Sequence, residues 1–447
     1  MAETLKSMYN GGSAGVLFTD RRDFYVSPQV VKELWTDVAP FTTVISNRET
    51  RKVPDPIFKM FEHRNPWVKQ KFTAGSGSAT SIADDDTAVA IDTITGITGL
   101  PACDASWVGL VAECWNSAED TKLGVVLVKT VTDANTITVV SLSGAFSPTA
   151  TSVYHVIGNA QGEGMTSPEA WSDELQVVWN SSQIFKTPLQ ITGTLLAASL
   201  RGESSELARL RAQKNQEHKM QKEKAFLFGQ RDGGTDLGGA AYDAGNKASD
   251  VIESFADEGR TDTAGNVIRT TYGVVSAMDK YGETGSYDYK NVFTISEATY
   301  TYNSFVDDME KVFQYVPEAG VKRAFCGAGA LGYWSKMAGT VGIAGSSGWT
   351  VNLSDMRRDS LGFNYKVLET PHGILQLIPT PALRGPYNKY MLVISEENLF
   401  HAQYRSPMYQ ANIKTDNAFD GVKDQYFSDE GVGMTLIESH HLFKVTD

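Results

Sequence analysis

The chain has 447 residues, enough to bury a sizeable core across two or three domains, and a net charge of −13. No window reaches eighteen consecutive apolar residues, and Met1–Phe18 lacks a basic stretch followed by an apolar run, so neither a membrane-spanning helix nor a standard secretion signal is expected. Three cysteines, Cys103, Cys114 and Cys326, are too few and too scattered for a disulfide framework or a zinc site, which fits a reducing cytoplasm.

In chain order, residues 1 to about 20 contain Gly and Ser without periodicity and read as an extended arm. Val30–Val38 has the pattern of a short helix, and Pro54 and Pro56 break the next segment. Trp67–Phe72 alternates like a strand and runs into the Gly/Ser stretch Gly75–Ser78. Short strands are then expected at Ala88–Ile91, Trp107–Trp115, Leu123–Val131, Thr136–Leu142 and Val153–Ile157, separated by turn residues such as Asp133–Asn135. That spacing predicts a small barrel or sandwich, and it reads as an inserted module because the chain changes style on both sides of it.

Glu203–Phe228 holds no Gly or Pro and is dense in helix formers, with Ser204 and Ser205 placed to cap it. At 1.5 Å per residue such a helix is about 39 Å long. Its large apolar residues, Leu207, Leu210, Met220 and Phe226–Phe228, form only a thin stripe. Heptad steps from Leu207 and Leu210 land on Lys214, Glu217, Gln221 and Lys224, which excludes a coiled coil. A rod with so little to bury predicts a thin subunit that lays the stripe on its own sheet and turns its charged remainder toward the interior or toward neighbouring copies.

Gly229 to about Gly265 reads as a long loop or extension. Thr294-Ile-Ser-Glu297 is a capping box ahead of a helix expected to reach Tyr315. A strand is expected next at Val321–Cys326, then a short helix at Leu331–Met337 and a Gly-rich loop at Gly339–Gly348. Further strands are expected at Thr350–Leu353, Phe363–Leu368, Ile374–Ile378, Tyr390–Ile394, Leu399–Tyr404 and Met434–Val445.

Chemistry-bearing patterns are sparse. Gly327-Ala-Gly-Ala-Leu-Gly332 spells G-x-G-x-x-G between a strand and a helix, the signature of a dinucleotide site, and Asp355 comes after a second strand. Lys322 and Arg323 in the preceding strand and a short Gly-rich helix after it argue instead for a tight turn that needs small residues. Gly11-Gly-Ser-Ala-Gly15 matches a nucleophile elbow but lacks the buried strand that the elbow requires. Asp84–Asp86 lacks the ligand spacing of a calcium loop, and His440 and His441, as strand neighbours, face opposite sides and cannot share an ion. No catalytic, cofactor or metal residues are assigned, and an enzyme is not expected.

Acidity is local: residues 73–175 carry 13 acidic and 2 basic side chains, while residues 1–72 and 176–230 are mildly basic. A sequence-reading DNA-binding protein needs a far stronger basic stripe.

The stretch Trp179-Asn-Ser-Ser-Gln-Ile-Phe185, through Thr192-Gly-Thr194 and Arg201-Gly202 to Glu206-Leu-Ala208 and Glu223-Lys-Ala-Phe-Leu-Phe-Gly229, resembles tailed-bacteriophage major capsid (major head) proteins. These have the Hong Kong 97-type fold, and the resemblance lies nearest the branch typified by the head protein of an elongated-head podophage. A weaker likeness covers Asn364–Asp447, where Gly373–Pro379 and the acidic loop Asp416–Asp429 precede a closing strand at Gly433–Val445. The resemblance implies an α+β subunit with an N-terminal arm, an extended β-loop, a peripheral domain carrying the long spine helix, and an axial domain.

Laid on this chain, 1–61 is the arm and the start of the peripheral domain, and 62–175 the extended loop with an all-β module inserted at about 85–160. The spine helix and the Gly-rich extension occupy 176–289, the axial domain 290–395, and 396–447 returns to the peripheral domain. The implied function is self-assembly as hexamers and pentamers into the icosahedral head enclosing double-stranded DNA, in a virion assembled in the bacterial cytoplasm. Implied partners are further copies, a portal protein at one vertex, separate scaffolding and decoration proteins, and weakly held DNA, with no membrane. Many relatives begin with a scaffolding segment that is cleaved off; a chain starting as this one does is expected to use a separate scaffolding protein, or none, without N-terminal cleavage.

Trp67, Lys69 and Lys71 on the loop stem, and Arg209 and Arg211 on the helix, are the candidate inter-subunit contacts. The basic helix and arm are expected to face the genome and the acidic module to face outward. The alternatives are a nicotinamide-dependent oxidoreductase using Gly327–Gly332, an encapsulin-like compartment shell, or a β-rich virion fibre.

Overall fold

β10 (Gln183–Thr192) sets out the plan of one half of the chain, because its side chains alternate between exposed and buried along its length. Phe185, Thr187, Leu189 and Ile191 point inward, and the long helix α3 (Glu206–Phe228) packs on that side, with the Phe185 and Phe226 rings edge to face at 6.3 Å. In this computed structural model the described residues are 39–63, 71–75, 82, 92–97, 103–149, 151–164, 175–198, 205–231, 263–264, 266–282, 290–314, 320–343, 357–359, 364–413 and 420–446. The expected helix at Val30–Val38 and the strands at Ala88–Ile91 and Thr350–Leu353 lie outside them.

β10 is one edge of a four-stranded sheet with the order β1 (Thr50–Lys52), β17 (Leu399–Gln410), β18 (Gly421–Met434), β10. β1 covers β17 only as far as Gln403. Beyond it the β17 edge is irregular, with register shifts on either side of Arg405 and Pro407 nearby, a device that blunts pairing with foreign strands. The acidic stretch expected to be a loop at Asp416–Asp429 is strand from Gly421, and Asp424, Asp429 and Glu430 are fully buried in it. The single closing strand expected near Met434–Val445 is two: β18 ends at Met434, a 3-10 turn spans Ile437–Ser439, and β19 is His441–Thr446.

The second large sheet has seven strands in the order β11 (Val292–Ser296), β19, β16 (Tyr390–Ile394), β12 (Val321–Cys326), β15 (Ile374–Pro379), β14 (Asn364–Glu369), β13 (Arg357–Arg358). Helices α5 (Tyr302–Phe313) and α6 (Ala328–Ile343) cover one face, where Phe305, Met309 and Trp334 pack on Phe293, Leu377 and Phe443. On the other face Phe325, Leu392 and Ile394 share a core with Phe41 and Val44 of α1 (Pro40–Arg48), with α4 (Val274–Tyr281), and with Phe226 and Leu227 of α3. Each such side chain contributes about 1.5–3 kcal/mol by leaving water, so this shared core ties the two sheets together.

Three expectations change here. Thr294–Glu297 lies in and just after β11, and the helix starts instead at Thr301, whose hydroxyl accepts from Ser304 N at 3.3 Å. α6 is longer than the short helix expected at Leu331–Met337 and takes in Gly339–Ile343. β12 is a central buried strand despite Lys322, which is only 2% exposed because its ammonium donates to Val312 O at 2.8 Å and Ser439 O at 3.1 Å.

The short strands of the acidic segment belong to one sheet, with ends shifted from those expected. β3 (Lys71–Thr73), β8 (Val153–Asn159), β5 (Leu110–Trp115), β6 (Lys122–Asp133), β7 (Thr136–Ser141) and β4 (Asp92–Ile94) form one sheet in that order. Gly75 N donates to Thr95 O at 2.8 Å, so the first and last strands meet and the sheet closes toward a barrel. A Cβ on Gly75 would lie 2.8 Å from Thr95 O, which explains the glycine there. Phe72, Trp107, Cys114, Ile137 and Tyr154 fill the interior. A two-stranded ribbon, β2 (Ile57–Glu62) with β9 (Gln176–Ser181), completes the sheets, and α2 (Gly193–Ala197) comes directly after β10.

The turn between β12 and α6 gives a direct test of packing. A Cβ on Gly327 would sit 2.2 Å from Asn388 O, a backbone atom that cannot swing away. Gly327→Ala is expected to destabilise the chain by about 1–3 kcal/mol through this overlap, read as a lower thermal midpoint; an unchanged midpoint contradicts the close approach.

Candidate functional site

The long helix sits on its sheet through polar side chains. Ser205 caps it, accepting from Ala208 N at 3.4 Å, and its buried residues are His218, Glu223, Phe226 and Leu227. Leu207, Leu210 and Met220, the stripe expected to face the sheet, are only half-buried. Arg211 instead donates to the buried Asp424 carboxylate at 2.8 and 3.1 Å. His218 bridges Thr187 and Ser428, at 3.0 Å to each hydroxyl. Lys222 reaches Glu430 at 3.1 Å, and His401 approaches the same carboxylate oxygen at 3.4 Å from β17.

Asp424 gathers more donors: Asn412 N at 2.7 Å and the Tyr409 hydroxyl, which draws the β17–β18 hairpin toward the helix. Burial pushes the Asp424 carboxyl up, but these hydrogen bonds and Arg211 outweigh it and hold it below the usual carboxylate value. Glu430 is likewise driven up by burial and brought below its ordinary value by His401 and Lys222. Burial, then the Lys222 charge, hold the His218 imidazole down at about 4, so it is neutral at physiological pH.

Glu223 works in the opposite direction along the chain. α1 has Ala39 at its N-cap and no side chain of its own to cap it. Glu223 supplies the cap from α3: Oε1 accepts from Phe41 N at 3.0 Å, and Oε2 from Thr42 N at 2.7 Å and Thr42 Oγ1 at 2.6 Å. Burial pushes this carboxyl above its ordinary value despite the three bonds.

The expected contact residues fall in different places. Trp67 and Lys69 lie outside the described residues. Lys71 pairs with Glu119 of the same barrel, which also meets His155 at 3.1 Å. Arg209 pairs with Glu206 one turn back, its Nε at 2.9 Å from Oε2, and Arg211 faces Asp424. The described members are thus bonded within the chain and form no cluster. Exposed apolar side chains stand on and beside the ribbon: Phe61 is 72% exposed and Leu175, just before β9, 55%, with half-buried Val177 paired opposite Phe61. Sequence reading missed it, although the alternation Ile57-Phe-Lys-Met-Phe61 sets Lys59 and Phe61 on one face.

The Gly327–Gly332 pattern is filled from within. Gly329 N donates to Asn388 Oδ1 at 3.1 Å and Ala330 N to Asn388 O at 3.1 Å, so the amides that would hold a pyrophosphate are already bonded. Gly327 and Gly329 admit Asn388. His440 and His441 are fully buried, and among the described residues no group of three or more His, Cys, Asp or Glu could hold a metal ion. Among those residues no helix is long and apolar enough to cross a membrane.

Removing Lys222 alone leaves Glu430 buried without its ammonium. Lys222→Ala is expected to destabilise the unassembled protein by about 3 kcal/mol, whereas Lys222→Met combined with Glu430→Gln recovers most of that loss. Urea midpoints check both; a single variant as stable as the parent contradicts the ion pair. Glu223→Ala is expected to lower stability by about 1–2 kcal/mol through the lost cap.

No curated protein matches the sequence. Among solved structures, the capsid of a native GTA particle aligns over 96% of this chain and 97% of its own, at 10% identity and a TM-score of 0.42. Microbacterium phage Oxtober96 aligns over 94% of each chain at 10% identity and TM-score 0.39. The holo-SrpI encapsulin complex from Synechococcus elongatus aligns over 61% of this chain and 76% of its own at 7% identity and TM-score 0.33. The sequence profile of one family, the SU10 major capsid proteins, matches residues 30–432. The chain belongs to the SU10 major capsid protein family.

Proposed function

We propose that this chain is the repeating subunit of the icosahedral head of a tailed double-stranded DNA phage, with the Hong Kong 97-type fold, assembling as hexamers and pentamers around the genome. Family membership over residues 30–432 carries the reading. The ribbon supports it: Phe61 and Leu175 contribute nothing to the subunit's own core and gain burial only against another molecule. In this reading the role is structural, with no catalytic step. The partners are further copies, a portal protein at one vertex, a separate scaffolding protein or none, any decoration proteins, and loosely held DNA, and assembly takes place in the host cytoplasm.

The five domain spans and the outward-facing acidic module belong to the same proposal, as do contacts by Trp67, Lys69, Lys71, Arg209 and Arg211. Because Lys71, Arg209 and Arg211 are bonded within the chain, their contribution between copies is to present already oriented charges. The oxidoreductase alternative loses its site to Asn388.

Electron microscopy of the expressed chain is expected to show closed shells. Phe61→Asp with Leu175→Asp is expected to reduce shell yield at least about tenfold while leaving the thermal midpoint of the free subunit unchanged, because exposed surface substitutions alter stability little. Filaments from the unaltered chain sink the shell reading, persistent monomers show that assembly requires a separate scaffolding protein, and normal yield from the double variant removes the ribbon from it.

A further inference from the structure

Two connections between the large sheets run through a single corner. β16 leaves the seven-stranded sheet through Ser395 and the turn Glu396–Asn398 to become β17. β18 returns through Thr435, Leu436 and the turn Ile437–Ser439 to become β19. The connections are stitched to each other: Thr435 N donates to Asn398 O at 3.0 Å, Asn398 Nδ2 to Ser439 Oγ at 2.8 Å, and Ser395 N to His440 Nδ1 at 3.2 Å. Lys322 Nζ holds Ser439 O at 3.1 Å and the end of α5 through Val312 O at 2.8 Å. At the middle of the return, Leu436 takes a left-handed conformation, φ 48° and ψ 68°, unusual for a branched residue and held by its N–H donating to Glu62 at 2.7 Å.

We propose that this double crossover is an acid-released hinge between the two sheets, with the neutral imidazole of His440 as its bolt. The Ser395 amide needs a lone pair on Nδ1, so the ring's one proton is on Nε2. A second proton can go only to Nδ1, and it turns that acceptor into a donor facing the Ser395 N–H. Ser395 is itself buried, so water does not replace the lost acceptor.

The surroundings do not welcome the added charge. From β12 comes the Lys322 ammonium, and His441 is the next residue. Glu396 is turned to Arg323 at 3.1 Å, Glu62 is held on Leu436 N–H, and Glu438 lies half-buried on the return turn itself. Among the described residues no carboxylate bonds the His440 ring. Burial first, then the Lys322 charge, keep His440 down at about 3, although the Thr435 and Asn398 carbonyls favour its proton. An opened corner restores an imidazole of ordinary basicity, near 6.5. The open form therefore binds more protons between those values, so the corner is fully closed above pH 6.5 and loosens as pH falls below it.

Hydrogen exchange with mass spectrometry on the full chain, corrected for the intrinsic pH dependence of exchange, tests this. In peptides covering residues 390–400 and 432–442, opening is expected to increase about thirty-fold between pH 7.5 and pH 5, by linkage between the two imidazole affinities. Barrel peptides covering residues 110–131 are expected to keep their protection. His440→Gln, whose amide oxygen accepts without titrating, is expected to flatten the profile. Should that variant not fold, Lys322→Met, by removing the neighbouring charge, raises the proton affinity of the closed imidazole and moves the midpoint of acid opening to lower pH. Equal corrected exchange at both pH values, acid opening that persists in His440→Gln or fails to move in Lys322→Met, or loss of protection in the barrel at the same pH, each overturns the hinge.

Discussion

Burial of carboxylates in a β-strand fixes where the long helix lies. Asp424 and Glu430 sit six residues apart on β18, an even spacing that turns both to the same face, and both are fully buried. Charges taken out of water at that depth are tolerated only with partners in place. Those partners are Arg211 and Lys222, eleven residues apart and so within about 20° of each other around a helix of 3.6 residues per turn. His218 and Ser428 fall between them, so helix and strand match in the same direction: 211 with 424, 218 with 428, 222 with 430. A slip of one helical turn would break all three of these pairings at once. The match therefore specifies one register, and apolar burial at Phe226 and Leu227 supplies the adhesion at the far end.

The same helix then positions elements beyond the sheet. Glu223, next to Lys222, caps α1, and α1 packs Phe41 and Val44 into the core shared by both sheets. Arg211 and Asp424 hold Tyr409 and Asn412 of the hairpin. One polar seam thus orders the entry of the chain into the fold and the end of the β17–β18 arm, while the barrel is built around its own interior and does not depend on it.

Much of this was legible in the sequence where neighbours along the chain decide the outcome. The barrel strands, β12, β14 to β16 and the existence and extent of α3 follow from alternation, turn residues and helix propensity, because each buries its face against segments close in sequence or has no helix breaker. The seam was not legible, because its pairs are more than two hundred residues apart, with 213 between Arg211 and Asp424 and 210 between His218 and Ser428. Apolar residues mark only a thin stripe on this helix, whereas the face it lays on β18 is periodic in polar residues. The acidic run before Gly431 reads as a solvated loop for the same reason. Thr294–Glu297 matched a capping pattern that strand pairing with β19 overrode.

Polar registration of this kind bears on assembly. A buried ion pair gives little net stability over an apolar pair of similar volume, but it penalises every wrong alignment. A subunit repeated in a shell meets the same demand, since an error in the angle between its parts is copied into each contact it makes. Apolar surface that would strengthen the monomer is instead left exposed on the ribbon at Phe61 and at Leu175 just before it. The division of labour is then physical: shared apolar cores hold the subunit together, the charged seam sets its shape, and the ribbon keeps apolar surface that the subunit's own core does not use.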